Sequence, residues 1–322
     1  MLIRRSHDGN GNIYPAGFNA LAAVPDHLSF HMAHQSRHPK SAYSTSIRLI
    51  TAQWLKVFHE YDKLMFEHNF ENKDSNESVL LSEYSQLLFR LNEHLDACIS
   101  ALRSLCPEVS NKRNEFDSHT LTKSKLPGWK TFQEAITPYR VDHIGYMVNT
   151  LKHKQGELCA VHFKSLTEFR PGYFLRDVLP TGALGPSKKL HSNGNTAFSY
   201  SRDMMLHMWW LFRIGDLLAQ AVHTAVEVKH AYILSENSVH IGDADWVELV
   251  NCCAALRPEF FPDEIRKPYP RVLLQRSPCQ VTLEFPTSAR GHQLPLGMTI
   301  STSMNIDMAH PINKMPYFSH LS

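Results

Sequence analysis

Residues 44–65 read STSIRLITAQWLKVFHEYDKLM, and the recurrence of their apolar side chains decides how the rest of the chain is read. Ile47, Ile50, Trp54, Phe58, Tyr61 and Met65 follow one another at steps of three and four residues, which places them on one stripe of an α-helix. The polar stretch Glu71-Asn72-Lys73-Asp74-Ser75-Asn76 ends that stripe. A second follows at Leu80, Tyr84, Leu87, Leu91, Leu95, Cys98, Leu102 and Leu105. Two long helices with a polar turn between them predict an antiparallel hairpin whose stripes bury each other. Pro107 closes the hairpin, and residues 107–127, rich in Asn, Lys, Ser and Thr, predict an exposed connection.

Outward from the hairpin the pattern weakens in one direction and continues in the other. Residues 1–43 hold Pro15, Pro25 and Pro39 with no sustained period, which predicts an irregular arm. A third helical region starts at Trp129 and is re-set at Thr137-Pro138, where proline suits a first turn; it runs to Lys154, with Gly156 as a left-handed cap. Leu158 to Phe163 fits a short strand. Residues 164–197 carry Pro171, Gly172, Pro180, Gly182, Gly185, Pro186 and Gly194, so 157–200 is read as a loop or lid.

Ser201 caps a fourth long helix reaching Leu234, with Asp203 in its first turn to complement the dipole. A fifth fits Asp243 to Leu256. After Pro258 the period becomes alternating, at Val281, Leu283 and Phe285 and again at Met298, Ile300, Met304 and Ile306; this predicts a C-terminal antiparallel pair joined around Gly291. The expected fold is therefore mainly α: an all-α body of long antiparallel helices with a small C-terminal antiparallel β element. Its parts are an arm at 1–43, a helical bundle at 44–256 with the lid at 157–200, and a β-containing segment at 257–322 packed on the bundle.

Composition narrows the class of molecule more than its activity. Of 322 residues, 43% are hydrophobic and 20% charged, values of an ordinary folded chain. With 33 basic and 31 acidic residues, a formal charge of +2 provides no global field for nucleic acid or an anionic membrane, so such a partner needs a local patch. The start of the chain, with Arg4, Arg5 and Asp8, lacks the apolar run of a secretion signal. The greasiest run, Met204 to Phe212, is interrupted by His207 and is too short to span a bilayer. Cys98, Cys106, Cys159, Cys252, Cys253 and Cys279 form no CxxC pair and no framework spacing, as expected of reduced thiols in a soluble, cytoplasmic protein with no membrane contact. The 20 histidines are the unusual feature.

Turning the helix from Pro138 to Lys154 by about 100° per residue puts Asp142, Tyr146, Asn149 and His153 on one narrow face. A carboxylate, a phenol, an amide and an imidazole in line can orient a ribose hydroxyl and a phosphate, with His153 as general base or acid. Lys152 and Lys154 lie beside them as phosphate contacts. The alternative is the solvated face of an amphipathic helix.

Asn149-Thr150-Leu151-Lys152-His153, on a helix expected to pack on two long antiparallel helices, resembles the HEPN superfamily. The family's motif is an arginine, commonly followed by a polar residue, and a histidine four to six residues beyond the arginine; Asn149 matches the polar position and His153 the histidine. Val148 stands where the arginine belongs, and Arg140 is too far back to replace it. The resemblance implies a dimeric protein that binds RNA or cleaves it without a metal or other cofactor, in a bacterial defence or toxin system. Without the arginine, a ligand-binding or partner-binding member fits as well.

Two further patterns compete. Arg213, Asp216, Gln220, His223, Glu227 and His230 share a face of the fourth helix, and His223, Glu227 and His230 are spaced to grip a divalent transition metal, although a second ExxH motif is absent from the sequence. The lid sequence from Gly182 to His191 holds Lys188 and Lys189 after small residues, a local basic patch suited to phosphate but not a Walker A loop. HExxH, GxSxG and GxGxxG are all absent. The competing expectations are thus an RNA-directed protein, a histidine-rich helical metalloprotein, and a non-catalytic component that binds a protein partner through the lid and C-terminal strands.

Overall fold

The computed structural model describes residues 1–7, 13–68, 77–107, 117–154, 156–165, 168–235, 243–276, 279–286, 299–303 and 312–317. The hairpin forms as its stripes predict. Helix α2 spans Pro39–Phe66 and α3 spans Ser78–Arg103, burying Ile47, Ile50, Trp54, Val57 and Phe58 against Tyr84, Leu87, Leu91 and Leu95. Their antiparallel register is pinned at two levels. Ser46 Oγ lies 2.8 Å from His94 Nδ1, and Gln53 Nε2 donates to the Glu83 carbonyl at 2.9 Å. Burial pushes the His94 imidazole down to about 3, so it is a neutral partner. The polar turn at 71–76 lies outside the described residues.

Helices α4 (Asp117–Ser124), α5 (Trp129–Arg140) and α6 (Ile144–His153) follow, so part of the connection at 107–127 is helical. The single helix expected from Pro138 to Lys154 is broken at 141–143, and Pro138 sits inside α5 rather than in a first turn. Gly145 permits the break, because a Cβ there would lie 2.0 Å from the Arg140 carbonyl oxygen. Gly156 is required for closeness, not handedness: it lacks a positive φ, and a Cβ would lie 2.5 Å from Thr150 Cγ2. Helix α7, Tyr200–His230, is central as expected and buries side chains around most of its circumference. Helix α1 (Gly17–Ala23) packs on it, and α8 (Ala244–Ala255) packs on α2.

The expectation of a mainly α bundle with one small C-terminal β element, and of an all-α body, is overturned by the eight strands that the described residues form in two antiparallel sheets. One sheet has the order β1-β7-β6, from Leu2–His7, Cys279–Glu284 and Arg271–Arg276. The start of the chain, expected to be irregular, thus forms a strand, pairing Ile3 with Leu283. The other sheet, β4-β3-β2-β8, comes from Leu184–Pro186, Phe169–Val178, Glu157–Lys164 and Thr299–Ser303, with β5 (Phe198–Ser199) also on β3. Most of its strands lie in the stretch expected to be a lid. The predicted C-terminal pair does not pair with itself: β7 joins β1 and β6, while β8 joins β2. Met298, Met304, Ile306 and the loop around Gly291 lie outside the described residues.

The sheet escaped detection because β3 is buried on both faces and so lacks the alternation of a half-exposed strand. Tyr173 and Leu175 join the helical core, whereas Phe174 packs with Cys159, Val161, Phe163 and Phe261 on the other face. Its Pro171 and Gly172 read as breakers but have specific places. Pro171 lies beyond the two β3 residues that pair with β5, where a missing N–H is tolerated. Gly172 lets β5 approach, since a Cβ there would lie 2.1 Å from the Phe198 carbonyl oxygen. Among the described residues no helix is long and apolar enough to cross a membrane.

The junction of β5 with α7 is held by Glu264, which is 2% exposed. Its carboxyl accepts from Ser199 Oγ at 2.5 Å, Ser199 N at 3.2 Å and Phe261 N at 3.0 Å. Burial raises its pKa from 4.5 to about 7 against the opposing charge of Arg202. The folded chain therefore retains a proton that the unfolded chain releases, and this contribution to stability is full below 4.5 and lost as pH rises through about 7. Urea unfolding across that window should show a loss of about 3 kcal/mol from this group, absent in Glu264→Gln; equal slopes in both proteins would refute the assignment.

Candidate metal centre

The first turn of α7 carries Asp203, and His207 follows one turn later on the same face. The break between α5 and α6 brings in His143; α3 contributes Tyr84, α5 Tyr139 and β3 Tyr173. All but Tyr139, which reaches His207, converge on the Asp203 carboxylate, whose side chain is 3% exposed. Tyr84 Oη donates to Oδ2 at 2.7 Å, and Tyr173 Oη donates to the same oxygen. His143 Nε2 lies 3.3 Å from Oδ1 and His207 Nε2 lies 3.1 Å from Oδ2. Tyr139 Oη meets the other nitrogen of His207, Nδ1, at 2.9 Å.

Burial alone would raise the Asp203 carboxyl, but the imidazoles of His207 and His143 outweigh it and hold the group well below the usual carboxylate range. Burial first, and then the Asp203 charge, push the phenols of Tyr84, Tyr173 and Tyr139 well above their ordinary value, so they remain protonated donors. His207 is wholly buried, yet its Nε2, though close to the carboxylate, has no aligned hydrogen bond. The donor atoms of His143, Asp203 and His207 all lie within 4.8 Å of one another, the one such three-residue group among the described residues. The two nitrogen–carboxylate separations, 3.3 and 3.1 Å, are near the spacing of adjacent ligands around one small ion. His143, with 16% of its side chain exposed, is the member nearest solvent.

His191 is 0% exposed and has Phe198 as a neighbour in common with His143. Its Nε2 accepts from the Leu175 N–H at 3.0 Å, so in the neutral ring Nδ1 carries the proton. Burial and the neighbouring His143 push it down to about 3, which keeps the ring neutral. Phe198 packs against both rings, 4.6 Å from His191 and 5.6 Å from His143 between centroids.

The residues singled out from the sequence fall elsewhere. Asp142 is off the helix, exposed, and paired with Lys189 at 3.2 Å. Tyr146 is half-buried, its Oη 3.0 Å from both Asp177 Oδ2 and Ser187 Oγ. Lys189 and Lys154 lie over its ring at 4.7 and 5.1 Å. Four of the candidates, Asp142, Tyr146, Lys154 and Lys189, are thereby brought together. Asn149 and His153 are exposed on the outer face of α6 and make no hydrogen bond within the described residues; Lys188 is exposed and Lys152 lies over Phe89. His223, Glu227 and His230 do not gather: Glu227 is exposed, and His230 stacks on Phe30.

The signal for the buried centre was nevertheless in the sequence. His207 interrupts the greasiest run of the chain, with a carboxylate one turn before it. No family model, no curated protein and no solved structure matches this chain.

The two sets of residues should respond oppositely to truncation. Asp203→Ala strands the imidazoles of His143 and His207 and two buried phenols and should cost about 3–5 kcal/mol in urea unfolding. Asn149→Ala and His153→Ala should leave the midpoint unchanged. Comparable losses in all three would remove Asp203 from its central place.

Proposed function

We propose that the protein is a mononuclear metalloprotein whose ion, held by His143, Asp203 and His207, keeps coordination positions open to an exogenous ligand. The observation that carries this reading is the convergence of three donor atoms beside the buried Asp203, where His207 Nε2 has no hydrogen bond of its own. Two imidazoles and a carboxylate are the donor set of open iron(II) and zinc(II) sites, whereas structural zinc takes four protein ligands. Such an ion supplies Lewis acidity and, as iron, redox chemistry.

The surrounding residues fit that role. In the tautomer whose Nδ1–H donates to Tyr139 Oη, His207 Nε2 would offer its lone pair to the ion. The hydrogen bonds of Tyr84 and Tyr173 orient the carboxylate and keep its charge available. This retains the metalloprotein reading while replacing the exposed helical stripe with a buried centre.

Elemental analysis of the purified chain should find close to one equivalent of a transition metal. Removal by chelator should lower Tm by roughly 5 °C or more, the shift expected of a ligand near a thousandfold above its Kd. Asp203→Asn and His207→Gln should bind no ion and melt independently of chelator. A wild-type chain that takes up neither iron(II) nor zinc(II), with unchanged melting, would reduce the cluster to a structural hydrogen-bond network.

One observation favours a second reading. The ammonium groups of Lys154 and Lys189 on Tyr146 make a cationic rim suited to an anionic partner such as RNA. RNA fragments formed in chelator and lost in His153→Ala are its expected outcome; fragments unaffected by the substitution count against it.

A further inference from the structure

A cavity of about 310 Å³ lies where the last turns of α2 meet the end of α8, and none of the residues of the metal centre lines it. Phe58, Tyr61, Asp62 and Met65 share one stripe of α2, at positions i, i+3, i+4 and i+7, and all four line the cavity. Cys252 lines it from α8, and Glu259 from the segment that follows that helix. We propose that this cavity binds a small organic cation, an ammonium group carried on an apolar body.

Charge is the first part of the argument. Two carboxylates, Asp62 and Glu259, line the cavity against one guanidinium, Arg257, which is exposed and forms an ion pair with neither. Tyr61 Oη donates to Glu259 Oε2 at 2.7 Å, and Oε1 accepts no hydrogen bond among the described residues. Asp62 makes no hydrogen bond and no ion pair among them. The local field is visible at Cys252, whose thiol is raised by burial and then by the charges of Asp62 and Glu248. A carboxylate that has lost part of its water and has an oxygen to spare is a strong acceptor for a charged N–H donor.

The remainder of the lining suits the body of such a ligand. The rings of Phe58 and Tyr61 and the thioether of Met65 offer apolar surface, and aromatic faces attract cations. Apolar and aromatic walls with a few polar groups are the composition of small-molecule sites, and the volume stands at the lower end of their range of roughly 300–1,000 Å³. An anion would meet two like charges. A bare metal ion is served less well, because no three ligating side chains gather here among the described residues.

2-Phenylethylamine is the probe, with 2-phenylethanol and phenylacetate as neutral and anionic controls of nearly the same shape. In the full-length chain labelled at its methionine methyl groups, the Met65 signal, assigned with Met65→Leu, should shift saturably with the amine. The alcohol should bind about tenfold more weakly, and phenylacetate should leave the signal unmoved. Asp62→Asn and Glu259→Gln, which keep shape and an acceptor oxygen but lose the charge, should each weaken amine binding about tenfold.

A Met65 signal that never moves, an alcohol or phenylacetate that binds as tightly as the amine, or an affinity unchanged in both variants overturns the proposal. Should Glu259→Gln fail to fold, Asp62→Asn, at an exposed side chain, decides alone. The titration needs no metal, so its outcome is independent of the fate of the metal centre.

Discussion

The fold is organised around a charge placed where charge is expensive. Asp203 is almost completely buried, and a lone carboxylate there would be neutralised or driven to the surface. It stays ionised because Tyr84 from the helical hairpin and Tyr173 from the middle of the sheet donate to it, and the imidazoles of His143, from the break between α5 and α6, and of His207, on its own helix, lie close by. Each donor belongs to a different element. The same few ångströms therefore tie the hairpin, the sheet and the central helix into one body.

That constraint explains details that otherwise look incidental. The break at 141–143 costs helical hydrogen bonds, but a continuous helix would not bring His143 in from the turn, and Gly145 is the residue that lets the chain fold back. Gly172 is needed because β5 must approach β3 closely before α7 can start, and Glu264 holds that junction from the other side. Tyrosines line the centre where phenylalanines would pack as well, because a buried carboxylate needs hydroxyl donors. Polar placement, more than core volume, specifies how the layers meet.

The outer face of α6 carries a separate group of polar contacts. Asp142, Tyr146 and two lysines gather there with the lid strand, at ion-pair and cation–π distances. In water such contacts contribute little, and they serve to clasp residues 184–191 to the helix. The same segment carries His191 into the interior. The histidines of the chain thus divide by burial: His207 and His191 are sealed inside, His143 sits at the rim, and His153 faces solvent.

Local periodicity by itself determined the helices. The stripes at Ile47 to Met65 and Leu80 to Leu105 need only the 3.6-residue turn and a partner to bury against, and the central helix was legible for the same reason. Alternation marked two strands, at Leu158–Phe163 and around Val281–Leu283, but their assembly into sheets was decided by tertiary structure, since β3 is covered on both faces and β1 finds β7 from a distant part of the sequence, which no local window can detect. The centre was half legible: Asp203 and His207 lie one turn apart inside an apolar run, but His143, Tyr84 and Tyr173 join them only through packing. A short polar pattern on an exposed helix and one inside the core look alike in a sequence, because burial, which makes a hydrogen bond or a charge consequential, is a property of the whole fold.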